Sequence, residues 1–127
     1  VLSRVRFTGP QNDVRPYYGM ADAFVLPTLY DPFPNVCVEA LACGLPVFTT
    51  RQCGAAELVE EGKNGWVSDA LAPVQLRTHI KSWLNSQERW PELKIAARQS
   101  VAMLTLTAMA AQMHTLYTEL LLLDTKH

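Results

Sequence analysis

Two carboxylates eight positions apart, Asp31 and Glu39, stand on either side of a segment in which a loop opens into a predicted helix. Backbone N–H groups around Pro34, Asn35 and Val36 would face that loop together with the positive end of the helix dipole. A helix end of this kind binds phosphate, and ionised carboxylates accept hydrogen bonds from vicinal sugar hydroxyls. The spacing therefore suits a nucleotide-sugar. It is equally compatible with an Asp31 that closes a turn and a solvated Glu39.

The residues favour a glycosidase, a catalytic histidine or a metal site less than a nucleotide-sugar site. A glycosidase would aim both carboxylates at one glycosidic bond, whereas Glu39 belongs to a helix of the phosphate-binding kind. His79 and His114 lie in predicted helices without partners at motif spacing, so we expect neither to be catalytic. The three cysteines, Cys37, Cys43 and Cys53, show no CxxC spacing, which predicts small buried thiols in a reducing, cytoplasmic compartment and no metal site.

Short β-branched and aromatic runs predict the strands that must position this loop. They occupy residues 5–8, 23–26, 46–49 and 66–67. Helical segments alternate with them, over residues 14–20, 36–43 and 55–61. Such alternation predicts an α/β fold, a Rossmann-like doubly wound parallel sheet with its ligand loops at the carboxyl ends of the strands.

Individual residues mark where these helices begin and end. Asp13 and Asn35 are predicted to cap the first and the second helix through their side chains. Gly44 stands where a left-handed residue ends the second helix, and Gly62 stops the third.

The end of the chain has a different character, because every Pro and Gly lies at or before Pro91. This distribution predicts a helical tail with three helices, over residues 73–85, 91–101 and 107–123. The last helix carries an apolar stripe at helical spacing that we expect to be core. The stripe consists of Met109, Met113, Leu116, Leu120 and Leu123. We predict a division into a partial nucleotide-sugar-binding domain, residues 1–90, and C-terminal helices, residues 91–127.

The composition of the 127 residues narrows the class of protein. Eleven Lys and Arg against 12 Asp and Glu give a net charge of −1, and 49% of the residues are hydrophobic, as in ordinary globular domains. The sequence has no cluster of Lys and Arg residues, which disfavours a nucleic-acid partner. The longest aliphatic run, residues 120–123, is far below a membrane span of about 20 residues. Because the chain starts at Val1 without a signal-peptide layout, we expect it to be part of a longer protein.

The stretch YDPFPNVCVEALACGLPV, residues 30–47, resembles the donor-site signature of the group 1 retaining glycosyltransferases of the GT-B fold. In that family an acidic residue, seven further residues, a Glu and then A-x-A-x-G-x-P-V close over a nucleotide-sugar. Flanking motifs follow in the family's order: FTG at 7–9, ADAFVLPT at 21–28, GAAEL at 54–58 and NGWV at 64–67. The resemblance is close over residues 5–90 and is greatest to the glucosyltransferases of the lipopolysaccharide core.

The resemblance implies the donor-binding part of a hexosyltransferase. It implies transfer of a sugar, glucose from UDP-glucose, to a lipopolysaccharide core or similar glycan, with an acceptor domain and an Arg–Lys pair upstream of this chain. It implies no cofactor and no metal, and a cytoplasmic location that allows peripheral association with the inner membrane. A non-transferring nucleotide-binding module and a nucleotide-sugar epimerase of the same fold are the alternatives.

The resemblance also assigns roles to individual residues. Glu39 would bind the ribose hydroxyls, and Asp31 would be catalytic, contacting the hexose or stabilising its developing charge. Backbone N–H groups would meet the sugar and diphosphate from Phe33, Pro34, Asn35 and Val36, and Gly9 and Gln11 would lie near the base or phosphates. The chain departs from the family pattern in two ways. Asp31 is one methylene shorter than the usual Glu, and Pro32 and Pro34 lack an N–H.

Overall fold

The structure, a computed structural model, describes residues 2–124. Within that range the chain forms a three-stranded sheet and five α-helices. The strands are β1 (Phe24–Val25), β2 (Val47–Thr50) and β3 (Gly65–Ser68). The helices are α1 (Arg15–Met20), α2 (Asn35–Ala42), α3 (Pro73–Leu84), α4 (Trp90–Ser100) and α5 (Leu106–Asp124). Short 3₁₀ turns occupy Leu2–Arg4, Gly54–Leu58 and Gln87–Arg89.

The sheet is parallel, in the order β1-β2-β3, which confirms the predicted α/β class. β2 is central and buried at all four positions. Its neighbouring residues face opposite sides, since Val47 belongs to one buried cluster and Phe48 to the other. Helices therefore cover both faces: α2 packs on the side of Val47, and Trp83 of α3 packs edge-on against Phe48.

The predicted strand over residues 5–8 is wrong. This segment is irregular, and every residue from 3 to 16 is exposed. A parallel strand forms only beside a partner, and β1 pairs only with β2 among the described residues. Phe7 therefore remains 91% exposed.

The predicted helix boundaries are confirmed in part. Gly44 has the left-handed φ of 82° at the end of α2, and its N–H donates to the Leu41 carbonyl at 2.8 Å. Asn35 is not a cap: Pro34 holds that position with extended backbone, and Asn35 is the first helical residue. Asp13 also lies one residue outside the cap position of α1, although its Oδ1 accepts the Arg15 N–H at 3.1 Å.

The predicted third helix is a shorter 3₁₀ turn. Asn64 explains the difference, because its buried side chain bonds the backbone of Leu58 and Glu60 at the point where a longer helix would continue. These two bonds fold the chain back toward β3 instead.

The apolar stripe of α5 is not core in residues 2–124, contrary to expectation. Its five side chains are 40–61% exposed, and neither buried cluster includes a residue of α5. Helical spacing shows that a helix has one apolar face but not what covers that face. The division of the chain at residue 90 stays a prediction.

The predicted burial of the cysteine thiols is confirmed for two of the three. Cys37 and Cys53 are buried, whereas Cys43 is exposed at the end of α2. Burial, and next the neighbouring Cys53, raise the pKa of Cys37 to about 12. In the part of the chain that the structure describes, no helix is long and apolar enough to cross a membrane.

Candidate functional site

The loop between β1 and α2 carries most of the predicted site, and buried hydroxyl groups of β2 hold its first residues. The Thr49 Oγ1 donates to the Leu26 carbonyl at 3.0 Å, and the Thr50 Oγ1 donates to the Thr28 carbonyl at 2.7 Å. Both threonines are at most 2% exposed. Side chains of the central strand thus fix the loop at the carboxyl edge of the sheet, where α/β proteins bind ligands.

Asp31 is fixed by its backbone to the loop that follows β2. Its N–H donates to the Gln52 carbonyl at 3.1 Å, and its own carbonyl accepts the Gly54 N–H at 2.9 Å. The side chain closes a local turn, since Oδ1 accepts the Phe33 N–H at 3.2 Å. Oδ2 has no hydrogen-bond partner within residues 2–124, so one carboxylate oxygen is available to a ligand.

Asp31 lines a cleft of about 330 Å³ between the two loops. The charged side chains around it are Arg51 and Glu57. Arg51 follows β2 directly, and its Nε donates to Asp69 Oδ1 at 2.7 Å. Sequence reasoning assigned no role to Arg51, although its position after a buried strand was a signal that it would reach this edge.

The first turn of α2 offers fewer N–H donors than the resemblance implied. Pro32 and Pro34 have none, and the Phe33 N–H is already donated to Asp31. The N–H groups of Asn35 and Val36 remain, because no hydrogen bond engages them among the described residues. They lie in the first turn, where the helix dipole favours an anion.

Glu39 lies one turn further along α2, with its side chain exposed. Its Oε2 accepts a hydrogen bond of 2.9 Å from the Tyr18 hydroxyl of α1. Tyr18 is 9% exposed and belongs to the buried cluster beneath α2. No sequence signal indicated this contact of Tyr18, because its separation of 21 positions from Glu39 matches no helical or strand period.

No hydrogen bond joins Gly9 or Gln11 to this site within residues 2–124. Both lie in the exposed segment before α1, where the Gln11 Nε2 donates to the nearby Thr8 carbonyl at 2.6 Å. Gly9 has a left-handed φ of 65° and no atom within 4 Å of where a Cβ would be. Their predicted contacts with base or phosphate therefore remain predictions.

Two further features bear on ligands. Phe33 and Asn35 line a second cavity, of about 390 Å³, together with residues at the start of α5. Within residues 2–124, no group of three His, Cys, Asp or Glu side chains is arranged to hold a metal ion.

The buried hydroxyl of Tyr18 should make the free energy of unfolding depend on pH. Burial, and next the hydrogen bond to the Glu39 carboxylate, raise the pKa of Tyr18 from 10.0 to about 12. We expect the free energy of unfolding to fall as pH rises from about 10 to about 12, because the unfolded chain then loses a phenolic proton that the folded chain keeps. Chemical denaturation across this range, with Tyr18→Phe as control, measures the effect. A wild-type curve parallel to that of the variant would contradict it.

Comparison with known proteins identifies the family of the chain. The family model described as glycosyl transferases group 1 matches residues 1–100, and the chain belongs to this family. The three-stranded α/β domain is therefore a GT-B Rossmann-like domain, as the resemblance implied.

The chain is similar to glycosyltransferases from several bacteria. It is 41% identical over 69 residues to the lipopolysaccharide core biosynthesis glycosyltransferase LpsE of Rhizobium meliloti, covering 54% of this chain and 20% of the relative. It is 30% identical over 118 residues to a D-inositol 3-phosphate glycosyltransferase of Thermobispora bispora, covering 93% of this chain and 28% of the relative.

A solved structure, sucrose-phosphate synthase from Thermosynechococcus elongatus, matches with a TM-score of 0.75 and 30% identity. The match covers 85% of this chain and 27% of that one. The chain thus spans less than a third of the length of each of these three relatives.

Proposed function

We propose that this chain forms the donor-binding part of a retaining hexosyltransferase that transfers glucose from UDP-glucose to a lipopolysaccharide core or similar glycan. The family match and the similarity to LpsE support transfer of a sugar to a glycan. Residues outside this chain would bind the acceptor and neutralise the diphosphate. The proposal needs neither a metal nor a cofactor.

The observation that carries the proposal is the combination of donors and acceptors along α2. The first turn carries the N–H groups of Asn35 and Val36, which have no protein acceptor within residues 2–124, and the exposed carboxylate of Glu39 follows one turn later. A nucleoside diphosphate needs both: amide donors for phosphate oxygens and a carboxylate for the ribose hydroxyls.

Asp31 has a separate task in this proposal. Its free Oδ2 contacts the hexose or the positive charge that develops on the hexose as the bond to the diphosphate breaks. The Phe33 N–H holds Oδ1, so the carboxylate keeps one orientation. The amide groups of α2 meanwhile stabilise the departing diphosphate.

Glu39→Gln tests the ribose contact. We expect this change to weaken UDP binding about tenfold to hundredfold, because a charge-assisted hydrogen bond contributes about 1.5–3 kcal/mol. Calorimetric titration of the chain with UDP measures it. Binding of 2′,3′-dideoxyuridine diphosphate, which lacks both ribose hydroxyls, should be equally weak in the wild type and the variant.

The control is Glu88→Gln, which removes an exposed carboxylate in the turn Gln87–Arg89 and should leave UDP affinity unchanged. Amide NMR signals of Asn35 and Val36 should shift with UDP. In a longer protein that contains this chain and the residues that neutralise the diphosphate, the proposal fails if millimolar UDP shifts neither amide, or if Glu39→Gln and Glu88→Gln bind UDP alike. Binding of UDP without transfer by a longer protein that contains this chain would favour a nucleotide-binding module.

A further inference from the structure

Tyr18 joins α1 to the candidate donor site through one hydrogen bond. Its Oη lies 2.9 Å from Glu39 Oε2 and 3.5 Å from the Val36 carbonyl oxygen. The hydroxyl has a single proton, and the shorter distance to a charged acceptor directs it to the carboxylate. No other hydrogen bond engages the Glu39 side chain in the part of the chain described here.

The two partners differ in mobility. The Tyr18 ring is buried in the cluster beneath α2, with the Phe24 ring centroid 6.1 Å away. Glu39 is an exposed side chain, which would otherwise exchange among several rotamers. The fixed hydroxyl therefore restricts the carboxylate, whereas the carboxylate has little influence on the ring.

The chemical type of the group that donates the hydrogen bond to Glu39 affects the charge of the carboxylate. A Lys or Arg at this position would bring a positive charge to the carboxylate, whereas a phenol holds one oxygen and leaves the charge in place. Glu39 then keeps Oε1 and its negative charge for a second donor. A phenol is protonated at neutral pH, and burial together with the Glu39 carboxylate raises the pKa of Tyr18 further, to about 12.

We propose that Tyr18 is a positioning residue: its buried hydroxyl holds Glu39 Oε2 so that Oε1 faces the ribose hydroxyls of the nucleotide. This role rests on the proposed function, since it requires Glu39 to bind ribose. Tyr18 itself touches no substrate. Its contribution is the rotamer freedom that Glu39 no longer loses on binding.

The test compares Tyr18→Phe with Tyr17→Phe. Tyr17 is the neighbouring residue on α1, half-buried, and its hydroxyl has no hydrogen bond within residues 2–124. We expect Tyr18→Phe to weaken UDP binding roughly threefold to tenfold, which corresponds to the cost of immobilising one side chain on binding. Binding of 2′,3′-dideoxyuridine diphosphate should not change, and Tyr17→Phe should bind both ligands as the wild type does.

Comparison of UDP with its dideoxy analogue distinguishes a loss of Glu39 positioning from damage to the fold. Loss of affinity for both nucleotides in Tyr18→Phe, or for neither, overturns the proposal. The double variant Tyr18→Phe/Glu39→Gln should bind UDP no more weakly than Glu39→Gln alone, because the hydroxyl acts only through that carboxylate. If Glu39→Gln itself has no effect, the proposed function fails. If it weakens binding and Tyr18→Phe does not, only the positioning role fails.

A measurement without substitution covers the case in which Tyr18→Phe does not fold. With ¹³C at the tyrosine Cζ atoms of the wild type, UDP should shift the Tyr18 signal and leave that of Tyr17 in place. The dideoxy analogue should shift neither. A Tyr18 signal that does not respond to saturating UDP contradicts the role.

Discussion

Gly54→Ala should cost at least tenfold in UDP affinity and about 1–3 kcal/mol in the free energy of unfolding, the range of an overpacked site. A Cβ at Gly54 would overlap the Pro32 carbonyl oxygen and lie 2.7 Å from the carbonyl carbon. Neither backbone can yield easily, because the Gly54 N–H donates to the Asp31 carbonyl at 2.9 Å and Asp31 pairs with Cys53.

The loop before α2 must therefore shift, and it carries both Asp31 and the first turn of the helix. Calorimetry with UDP and urea denaturation measure the two effects. Gly19→Ala is the matched control, since nothing lies within 4 Å of its added Cβ and its φ is not positive. A helical Gly→Ala change stabilises by about 0.5–1 kcal/mol, and UDP affinity should stay the same. Wild-type UDP affinity in Gly54→Ala would show that the close approach of the loops does not position the site.

The sequence predicted the elements whose signals are local. The strands around Phe24, Phe48 and Trp66 are short β-branched or aromatic runs bounded by turn residues, and all three form. Gly44 ends α2 as predicted, because a left-handed residue after a helix has a strong preference for Gly.

Elements that depend on distant partners were predicted less well. Residues 5–8 have strand-like composition, but a strand also needs a neighbour, and composition does not supply one. The stripe of α5 has the correct period for a helix and is exposed nonetheless. Asn35 is not the cap because the extended backbone ends at Pro34, whose ψ is 116°, and the helix begins with Asn35 itself.

The residues of the candidate site were predictable from the sequence, but the distant contacts that hold them were not. Asp31, Asn35, Val36 and Glu39 follow from one continuous motif, and the structure places all four on a single loop and helix. The contacts that hold them come from elsewhere: Tyr18 from α1, Thr50 from β2 and Gly54 from the next loop. None of these contacts has a sequence period, so only the folded chain reveals them.

Asn64→Ala should give the second large effect, a loss of about 2–3 kcal/mol in the free energy of unfolding. Asn64 is 1% exposed; its Nδ2 donates to the Leu58 carbonyl at 2.8 Å, and its Oδ1 accepts the Glu60 N–H at 2.7 Å. Alanine removes both hydrogen bonds of this buried side chain, and each of them contributes up to about 1.5 kcal/mol. For a domain stable by about 5–15 kcal/mol that loss is substantial. Urea denaturation followed by circular dichroism measures it.

The location of Asn64 makes the result informative about the site as well. Asn64 precedes β3 and thus lies at the amino edge of the sheet, opposite the loop that carries Asp31. The UDP affinity of the folded Asn64→Ala variant should therefore equal that of the wild type, whereas Gly54→Ala should lower it.

Asn85→Ala is the control, at an exposed position with no side-chain hydrogen bond in residues 2–124. It should change the free energy of unfolding by less than about 0.5 kcal/mol. Asn64→Asp places a carboxylate oxygen against the Leu58 carbonyl oxygen and buries a charge, so it should destabilise the fold at least as much as Asn64→Ala. Equal stability of Asn64→Ala and Asn85→Ala would mean that the turn holds its shape without this side chain.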